Sequence, residues 1–182
     1  MYVGIKGGIY MFDPTIFENL KVAIENQVYD LDNLENKIKI TNRIDRMDLS
    51  IMKRDFAIQF TLNDKQDVTA EIVLDASLEE LAAEILEQTG KNPGCAMYLR
   101  FYKKVQNVTN QCKEIEQVLN EIWEPDIPLT QTLSFVYGQD LSPGYLNIIE
   151  VAFDHKINED HMGIISDFLE HIIATLALLN DI

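Results

Sequence analysis

Three stretches of the chain space their apolar residues as an amphipathic α-helix does. In about 14–34, apolar side chains recur every three or four positions and fall on one face. Asp13 and Pro14 open this stretch as an N-cap and a proline at the first helical position. A second stretch covers about 108–124, where a proline follows, and a third covers about 158–180. Each pattern predicts a helix.

A fourth, shorter helix is predicted from a capping sequence. Ser77 is followed three positions later by Glu80, which is the order of a capping box. The apolar residues that follow fall on one side of the predicted helix. We expect them to form its buried stripe: Leu78, Leu81, Ala82, Ile85 and Leu86.

Between the helices the apolar period changes to two, as in strands that bury one face. The alternating segments are about 37–44, 55–62, 68–75, 95–102, 130–138 and 145–154. The second and third flank the sequence NDKQD and predict a hairpin. Met47, Leu49 and Ile51 break the alternation after the first segment, which predicts a bulge or a break there.

The order of these elements predicts an α+β fold. We expect a single two-layer sandwich in which four helices pack on a largely antiparallel sheet of about six to seven strands. No segment rich in proline, glycine or serine divides the chain. One domain over residues 1–182 is therefore predicted, with 1–92 and 93–182 as alternative sub-units.

The first residues contain a glycine cluster, VGIKGG, at positions 3–8. A phosphate-binding loop would need a helix to open at its last glycine, but Ile9 to Phe12 form a strand-like run. Gly7 and Gly8 instead suit a tight hairpin turn that requires positive φ at both positions. We predict a short hairpin here.

The net charge of -15 is unevenly distributed along the chain. Residues 1–105 contain 17 acids and 13 bases, net -4, whereas residues 106–182 contain 13 acids and two lysines, net -11. An acidic surface repels nucleic acid and anionic lipid and attracts basic partners. We expect a soluble, cytoplasmic protein that contacts neither nucleic acid nor membrane directly, because no charged, apolar leader or long apolar run is present.

Candidate chemistry is sparse. Cys95 and Cys112 occupy apolar positions and have no CxxC spacing, which predicts two reduced, buried thiols. The three histidines lack the spacing of metal ligands, and the Asp167 and His171 pair on the last helix predicts a surface ion pair. We therefore predict no catalytic residue, no cofactor and no metal site. An active site assembled from residues distant in sequence stays open.

One basic stretch stands out on the acidic chain, from Lys37 to Arg54. Lys37, Lys39 and Arg43 would share one face of a regular strand, where an anionic ligand or an acidic protomer could bind. The alternative is an ordinary solvated face. A small-ligand site near Arg43, Arg100 and the loop 138–144 is a further hypothesis.

Two segments in the acidic part resemble contact surfaces. Carboxylates crowd the C-terminal end of the third helix, where negative charge is unfavourable by about 0.3–1 kcal/mol per group. The only tryptophan lies among them, and tryptophan is enriched at binding hot spots. The loop 138–144 is bounded by two tyrosines. The predicted partner-binding residues are Glu121, Trp123, Glu124, Asp126, Tyr137, Asp140 and Tyr145.

The last helix contains a heptad-spaced apolar seam, formed by Met162, Ile165, Leu169, Ile172, Leu176 and Leu179. Such a seam is covered either by the sheet of the same chain or by a second copy. A homodimer through the C-terminal helix is one alternative that the sequence leaves open.

Residues 94–154 resemble, in the order of their elements, the C-terminal half of the bacterial tubulin-like cell-division GTPases. The resemblance implies a shared topology over about a third of the chain. The glycine-rich GTP-binding signature of that family is absent, so it implies no functional residue here.

The leading functional hypothesis is a non-catalytic, acidic protein-binding module. By presenting carboxylates where nucleic acid would bind, it would inhibit a basic or nucleic-acid-binding partner, as nuclease immunity proteins and phage anti-defence inhibitors do. The alternatives are a dimeric adaptor or secretion-type chaperone, and an enzyme or small-ligand-binding protein.

Overall fold

A computed structural model describes residues 15–86, 92–123, 127–138 and 144–182. The predicted hairpin around Gly7 and Gly8 lies outside these residues. Within them, four α-helices and six strands follow the predicted order. Their bounds are α1 Ile16–Asn33, β1 Ile38–Asp48, β2 Lys53–Leu62, β3 Val68–Ala76, α2 Leu78–Ile85, β4 Ala96–Val105, α3 Val108–Ile122, β5 Leu129–Ser134, β6 Tyr145–Ala152 and α4 Ile165–Asp181. A 3₁₀ segment, Glu159–Ile164, precedes α4.

The strands form one antiparallel sheet in the order β1-β2-β3-β4-β6-β5. The predicted α+β fold is thereby confirmed, with six strands among the described residues. β3 pairs with β4 from Val68↔Lys103 to Asp75↔Ala96. One continuous sheet therefore includes strands from both alternative sub-units, 1–92 and 93–182. The described edge strands are β1 and β5.

Buried side chains from three helices cover one face of the sheet, which we call the helical face. Phe56, Ile58 and Phe60 of β2 lie on it. α4 packs over β2 and β3, and α1 packs over β1 and β3. α3 packs beside α4 and contacts β4. The opposite face, which we call the polar face, carries Gln59 of β2 and Glu71 of β3.

The seam of α4 is buried against the sheet and the neighbouring helices. Ile165, Leu169, Ile172, Leu176 and Leu179 all belong to the core cluster. By length and composition the segment Glu159–Asp181 could cross a membrane, but its apolar seam is buried in the core of the chain. The exposed large apolar side chains beside this seam are Ile164 and Leu178. A homodimer through this helix stays a prediction.

α1 begins later than the sequence predicts. Thr15 is its N-cap, and the Thr15 hydroxyl accepts a hydrogen bond from the Glu18 backbone N–H. The prediction that Asp13 is the N-cap is therefore wrong, because Thr15, two positions later, accepts the hydrogen bond of the first helical turn. Asp13 and Pro14 themselves lie outside the described residues.

A β-bulge near the start of β1 overturns one prediction about the basic stretch. The register with β2 shifts between Ile40 and Asn42, so Thr41 is the extra residue. Lys39 lies opposite Thr61 on the polar face, whereas Arg43 lies opposite Ile58 on the helical face. Lys39 and Arg43 thus lie on opposite faces, since one inserted residue reverses the alternation. The break predicted at 47–51 is instead the end of β1 and its turn into β2.

The predicted buried stripe of α2 is wrong at three of its five positions, whereas Leu81 packs half-buried against the core. Ser77 caps this helix as expected, by accepting a hydrogen bond from the Glu80 N–H. Ala83 is the buried residue of α2, while Leu78, Ile85 and Leu86 are 49%, 67% and 66% exposed. The helix packs at the margin of the core, where the sheet offers too little surface to cover its apolar side.

Substitutions on the two sides of α4 test the placement of the core. We expect Leu176→Ala to lower the free energy of unfolding by about 2–5 kcal/mol, because Leu176 is fully buried and leaves a cavity. Leu178→Ala is the matched control, since Leu178 is 45% exposed and should change it by about 0.5 kcal/mol. Urea titration followed by circular dichroism measures both. Equal losses would contradict the orientation of α4.

Candidate interaction surfaces

The C-terminal end of α3 places the only tryptophan in an aromatic cluster. The Trp123 backbone N–H donates to the Leu119 carbonyl at 2.8 Å and closes the helix. The Trp123 ring centroid lies 5.9 Å from those of Phe153 and Phe168, and 6.0 Å from that of His171. The two phenylalanine contacts are edge-to-face, a preferred geometry for aromatic pairs. Three elements thus converge on one side chain.

Beside this cluster lies a hollow of about 410 Å³, which we call the Trp123 hollow. Its lining residues are Ile122, Trp123, Ile127, Phe153, Ile164, Asp167, Phe168 and His171. The buried indole Nε1 of Trp123 finds no acceptor among the described residues. A buried donor without a partner is unfavourable by about 1–3 kcal/mol.

Apart from Glu159 and Asp181, which contact Asn19 and Lys65, α3, α4 and the 3₁₀ segment carry six exposed carboxylates, of which Asp167 lines this hollow. Within the described part of the chain, none of them belongs to an ion pair. They are Glu114, Glu116, Glu121, Asp160, Asp167 and Glu170, which we call the acidic helical surface. In residues 106–182, the described acids that do form ion pairs are Glu150 with Arg100 and Asp181 with Lys65.

The basic stretch, by contrast, is neutralised within the chain. Five of its six cations are held by carboxylates of α1, the first strands or the loop between them. The pairs are Lys37–Glu35, Arg43–Glu25, Arg46–Asp55, Lys53–Asp75 and Arg54–Glu18. Arg54 also lies 4.4 Å above the Phe17 ring, a cation–π contact. The charges of these cations are therefore neutralised within the chain.

The predicted partner-binding residues separate into two groups. Glu121 and Trp123 lie together at the end of α3. Tyr145 is the first residue of β6, and the Trp123 hollow lies beyond the last residue of that strand. The two groups are therefore about 20 Å apart along the strand. Tyr137 follows β5 and is 95% exposed. Glu124, Asp126 and Asp140 lie outside the described residues.

A second apolar patch adjoins the Tyr137 group. Phe135 and Val136 follow β5 and are largely exposed, and the Phe135 ring meets that of Tyr145 edge-on at 5.9 Å. Gly144 precedes Tyr145 with φ of +82°, and a side chain there would collide with the Val105 carbonyl. Glycine is therefore required where the chain enters β6.

Sequence reasoning missed a groove between α2 and the β1–β2 hairpin. The exposed apolar side of α2 faces Met47 and Met52 of the hairpin across a space of about 720 Å³. Cations and carboxylates line its margin, including Arg46 and Asp45. The apolar stripe of α2 is a signal of this groove in the sequence. Such a stripe has the same spacing, however, whether or not other residues cover it.

The polar face carries a closed network around Glu71, which is only 5% exposed. Its carboxylate accepts hydrogen bonds from the Tyr102 hydroxyl at 2.6 Å, from Gln59 at 2.8 Å and from Arg100 at 3.4 Å. Arg100 also donates to Glu150 at 2.8 Å. Burial and the Glu71 hydrogen bond raise the pKa of Tyr102 to about 12. Fully partnered groups like these stabilise a sheet rather than supply a reactive group.

The hypothetical small-ligand site near Arg43 and Arg100 is not assembled. Arg43 lies on the helical face of β1, and Arg100 lies on the polar face of β4, with two strands between them. Neither lines the Trp123 hollow or the α2 groove. Among the described residues, no group of three or more histidine, cysteine or acidic side chains could hold a metal ion.

The cysteines and histidines have ordinary structural surroundings. Both thiols are free, Cys95 buried and Cys112 half-buried. Burial raises the pKa of Cys95 to about 12 and also raises that of Cys112. The predicted Asp167 and His171 ion pair is wrong, because His171 Nδ1 contacts the Asp167 backbone carbonyl at 2.7 Å and not its carboxylate.

No protein-family model, curated protein or solved structure matches the chain. Functional inference therefore depends on the surfaces described above.

Alkylation kinetics test the protonated state of the thiols. At pH 8.5 we expect Cys95 in the native protein to react with iodoacetamide on the order of a thousand-fold more slowly than in urea, because a pKa of about 12 leaves little thiolate. Cys112, which is less buried, should react first. Mass spectrometry of timed samples assigns each site. Native labelling of Cys95 at the unfolded rate would contradict its burial.

Proposed function

We propose that this chain is a non-catalytic protein-binding module whose acidic helical surface occupies a basic surface of a partner. The observation that carries the proposal is the set of six helical carboxylates that have no ion-pair partner within the described chain. In residues 1–105 most cations are paired internally, so the acidic part presents its charge outward. Unpaired, like-signed charge on one surface is available to an external partner of opposite sign.

Electrostatics and apolar contact have separate roles in this proposal. Exposed carboxylates steer a basic partner toward the surface and accelerate association, but each adds little affinity because water screens it. Affinity at protein interfaces is concentrated in a few aromatic and arginine residues in desolvated pockets. The Trp123 hollow, which Asp167 also lines, supplies such a pocket.

The finer proposal is inhibition of a nucleic-acid-binding partner, of the nuclease-immunity or phage anti-defence type. A surface that binds nucleic acid presents arginine and lysine side chains to phosphates. Carboxylates displayed on two neighbouring helices, α3 and α4, offer those cations a competing anionic surface. Bound there, the chain would exclude nucleic acid without any chemistry of its own.

The α2 groove favours a second candidate, a dimeric adaptor or secretion-type chaperone. Chaperones of that kind hold apolar segments of a client protein, and the groove exposes leucine, isoleucine and methionine side chains over about 720 Å³. A client bound there would depend on apolar contact, so its binding would respond weakly to salt.

Two charge-matched double variants test the acidic helical surface. Glu121→Lys with Asp167→Lys reverses two carboxylates on that surface, and Asp64→Lys with Asp67→Lys makes the same charge change on the β2–β3 turn. Each immobilised protein is exposed to a host lysate, and retained proteins are eluted with rising NaCl. We expect wild type to retain basic proteins that elute by about 0.5 M salt, since ions screen exposed charges. The helical variant should retain far less, and the control should behave as wild type.

Three outcomes would contradict the proposal. Retained proteins that are not basic, retention that is indifferent to salt, or equal losses in both variants would each remove its support. Salt-indifferent retention that is lost in Leu86→Asp, a substitution in the α2 groove, would favour the adaptor instead. Fluorescence of the single tryptophan, measured with a purified retained protein, then reports whether the hollow is occupied.

A further inference from the structure

The edge strand β5 is a palindrome. Its first five residues read Leu129, Thr130, Gln131, Thr132 and Leu133. When two copies of one strand pair antiparallel about a two-fold axis, residue i of one copy lies opposite residue j of the other. The sum of i and j is then the same for every pair. When that axis passes through Gln131, every residue of this stretch meets an identical residue type.

The backbone of β5 has its free hydrogen-bonding groups at the matching positions. The Ala152 N–H donates to the Pro128 carbonyl at 3.2 Å, and β5 pairs with β6 from Leu129↔Val151 to Ser134↔Leu146. Because bonded and non-bonded pairs alternate in an antiparallel ladder, Thr130, Thr132 and Ser134 bond to β6. The N–H and C=O groups of Leu129, Gln131 and Leu133 therefore point away from β6, and no described strand pairs with that side.

The two edges of the sheet differ in how they resist association. β1 carries charged residues along its length and a bulge at Thr41, both of which discourage edge-to-edge pairing. β5 carries no charged residue, no bulge and no internal proline. On a chain of net charge -15, a neutral edge is where a second copy meets the least repulsion.

The geometry points to a homodimer in which β5 pairs antiparallel with β5 of a second copy about a two-fold axis at Gln131. Leu129 then exchanges backbone hydrogen bonds with Leu133 of the second copy, and Gln131 with its own equivalent. Thr130 lies opposite Thr132 of the second copy with side chains in contact, as in a non-hydrogen-bonded pair. The two sheets become one continuous sheet. The evidence for this dimer is separate from the evidence for the proposed function.

The same register would join the two predicted contact groups across the dimer. It places Phe135, which is 59% exposed, opposite Ile127 of the second copy, a lining residue of the Trp123 hollow. The exposed segment from Phe135 to Tyr137 thus extends toward the hollow of the other protomer. Apolar surface that one copy leaves exposed at each end of β5 would be buried in the dimer.

A charge-swap experiment tests both the edge and the register. Thr130 and Thr132 are exposed on the polar face, so each tolerates a charged side chain. A Thr130→Lys/Thr132→Lys variant places lysine opposite lysine in the dimer, and a Thr130→Glu/Thr132→Glu variant places glutamate opposite glutamate. An equimolar mixture of the two places lysine opposite glutamate at both positions.

Sedimentation equilibrium in 0.3 M NaCl measures the result. We expect wild type to reach twice the 20.9 kDa protomer mass as its concentration rises. Each double variant should dimerise about tenfold more weakly or worse, and the mixture should recover the dimer. Rising salt should strengthen wild-type association, because it screens repulsion between two acidic copies. Circular dichroism melts confirm that each variant is folded.

Hydrogen exchange of the wild type gives a second readout that needs no variant. Amides of Leu129, Gln131 and Leu133 should exchange more slowly at high protein concentration than at low, while those of Thr130 and Thr132 stay constant. A wild type that is monomeric at millimolar concentration would overturn the inference. So would a dimer that both double variants preserve, or variants whose mixture stays monomeric.

Discussion

One-sided burial of the sheet is the constraint on which the rest of the structure depends. Alternate residues of β2, β3 and β4 carry their apolar side chains to the helical face, where α1, α3 and α4 cover them. The fully buried phenylalanines Phe56, Phe60 and Phe101 all lie on that face. Because α1, α3 and α4 all pack on one face of the sheet, the surfaces left for partners are the outer sides of those helices, the sheet edges and the polar face.

The two parts of the chain use their charge differently. Near β1 and β2, arginine and lysine side chains pair with carboxylates of α1 and of neighbouring strands, as Arg54 does with Glu18 at 2.6 Å. On α3 and α4, the described exposed carboxylates other than Asp181 have no such partners. Surface ion pairs add little stability, so the first arrangement mainly cancels charge. The second leaves a field that attracts cations, and this asymmetry is the physical basis of the proposed function.

Much of the fold follows from periodicity, and the departures have identifiable causes. The helical period predicts α1, α3 and α4, and the period of two predicts the strands, because burial of one face is encoded locally. The bulge at Thr41 reversed the faces of β1, and no residue near it signals an insertion. The stripe of α2 has the sequence of a buried helix, but coverage depends on where the sheet ends, which is a property of the whole fold.

The candidate surfaces were predictable only in part. A single tryptophan among carboxylates identified the end of α3, but the ring contacts with Phe153 and Phe168 join residues 30 or more positions apart. The palindrome in β5 is visible in the sequence. Its significance depends on β5 being an edge strand, and that placement comes from the order in which strands assemble.

Hydrogen exchange of the chain bound to a purified basic partner identifies the surface that the partner covers. We expect slower exchange in peptides that cover 113–123 and 164–171, with the protection lost as salt rises. Protection confined to the polar face or to the α2 groove, or protection of the helices that salt leaves unchanged, would contradict this expectation.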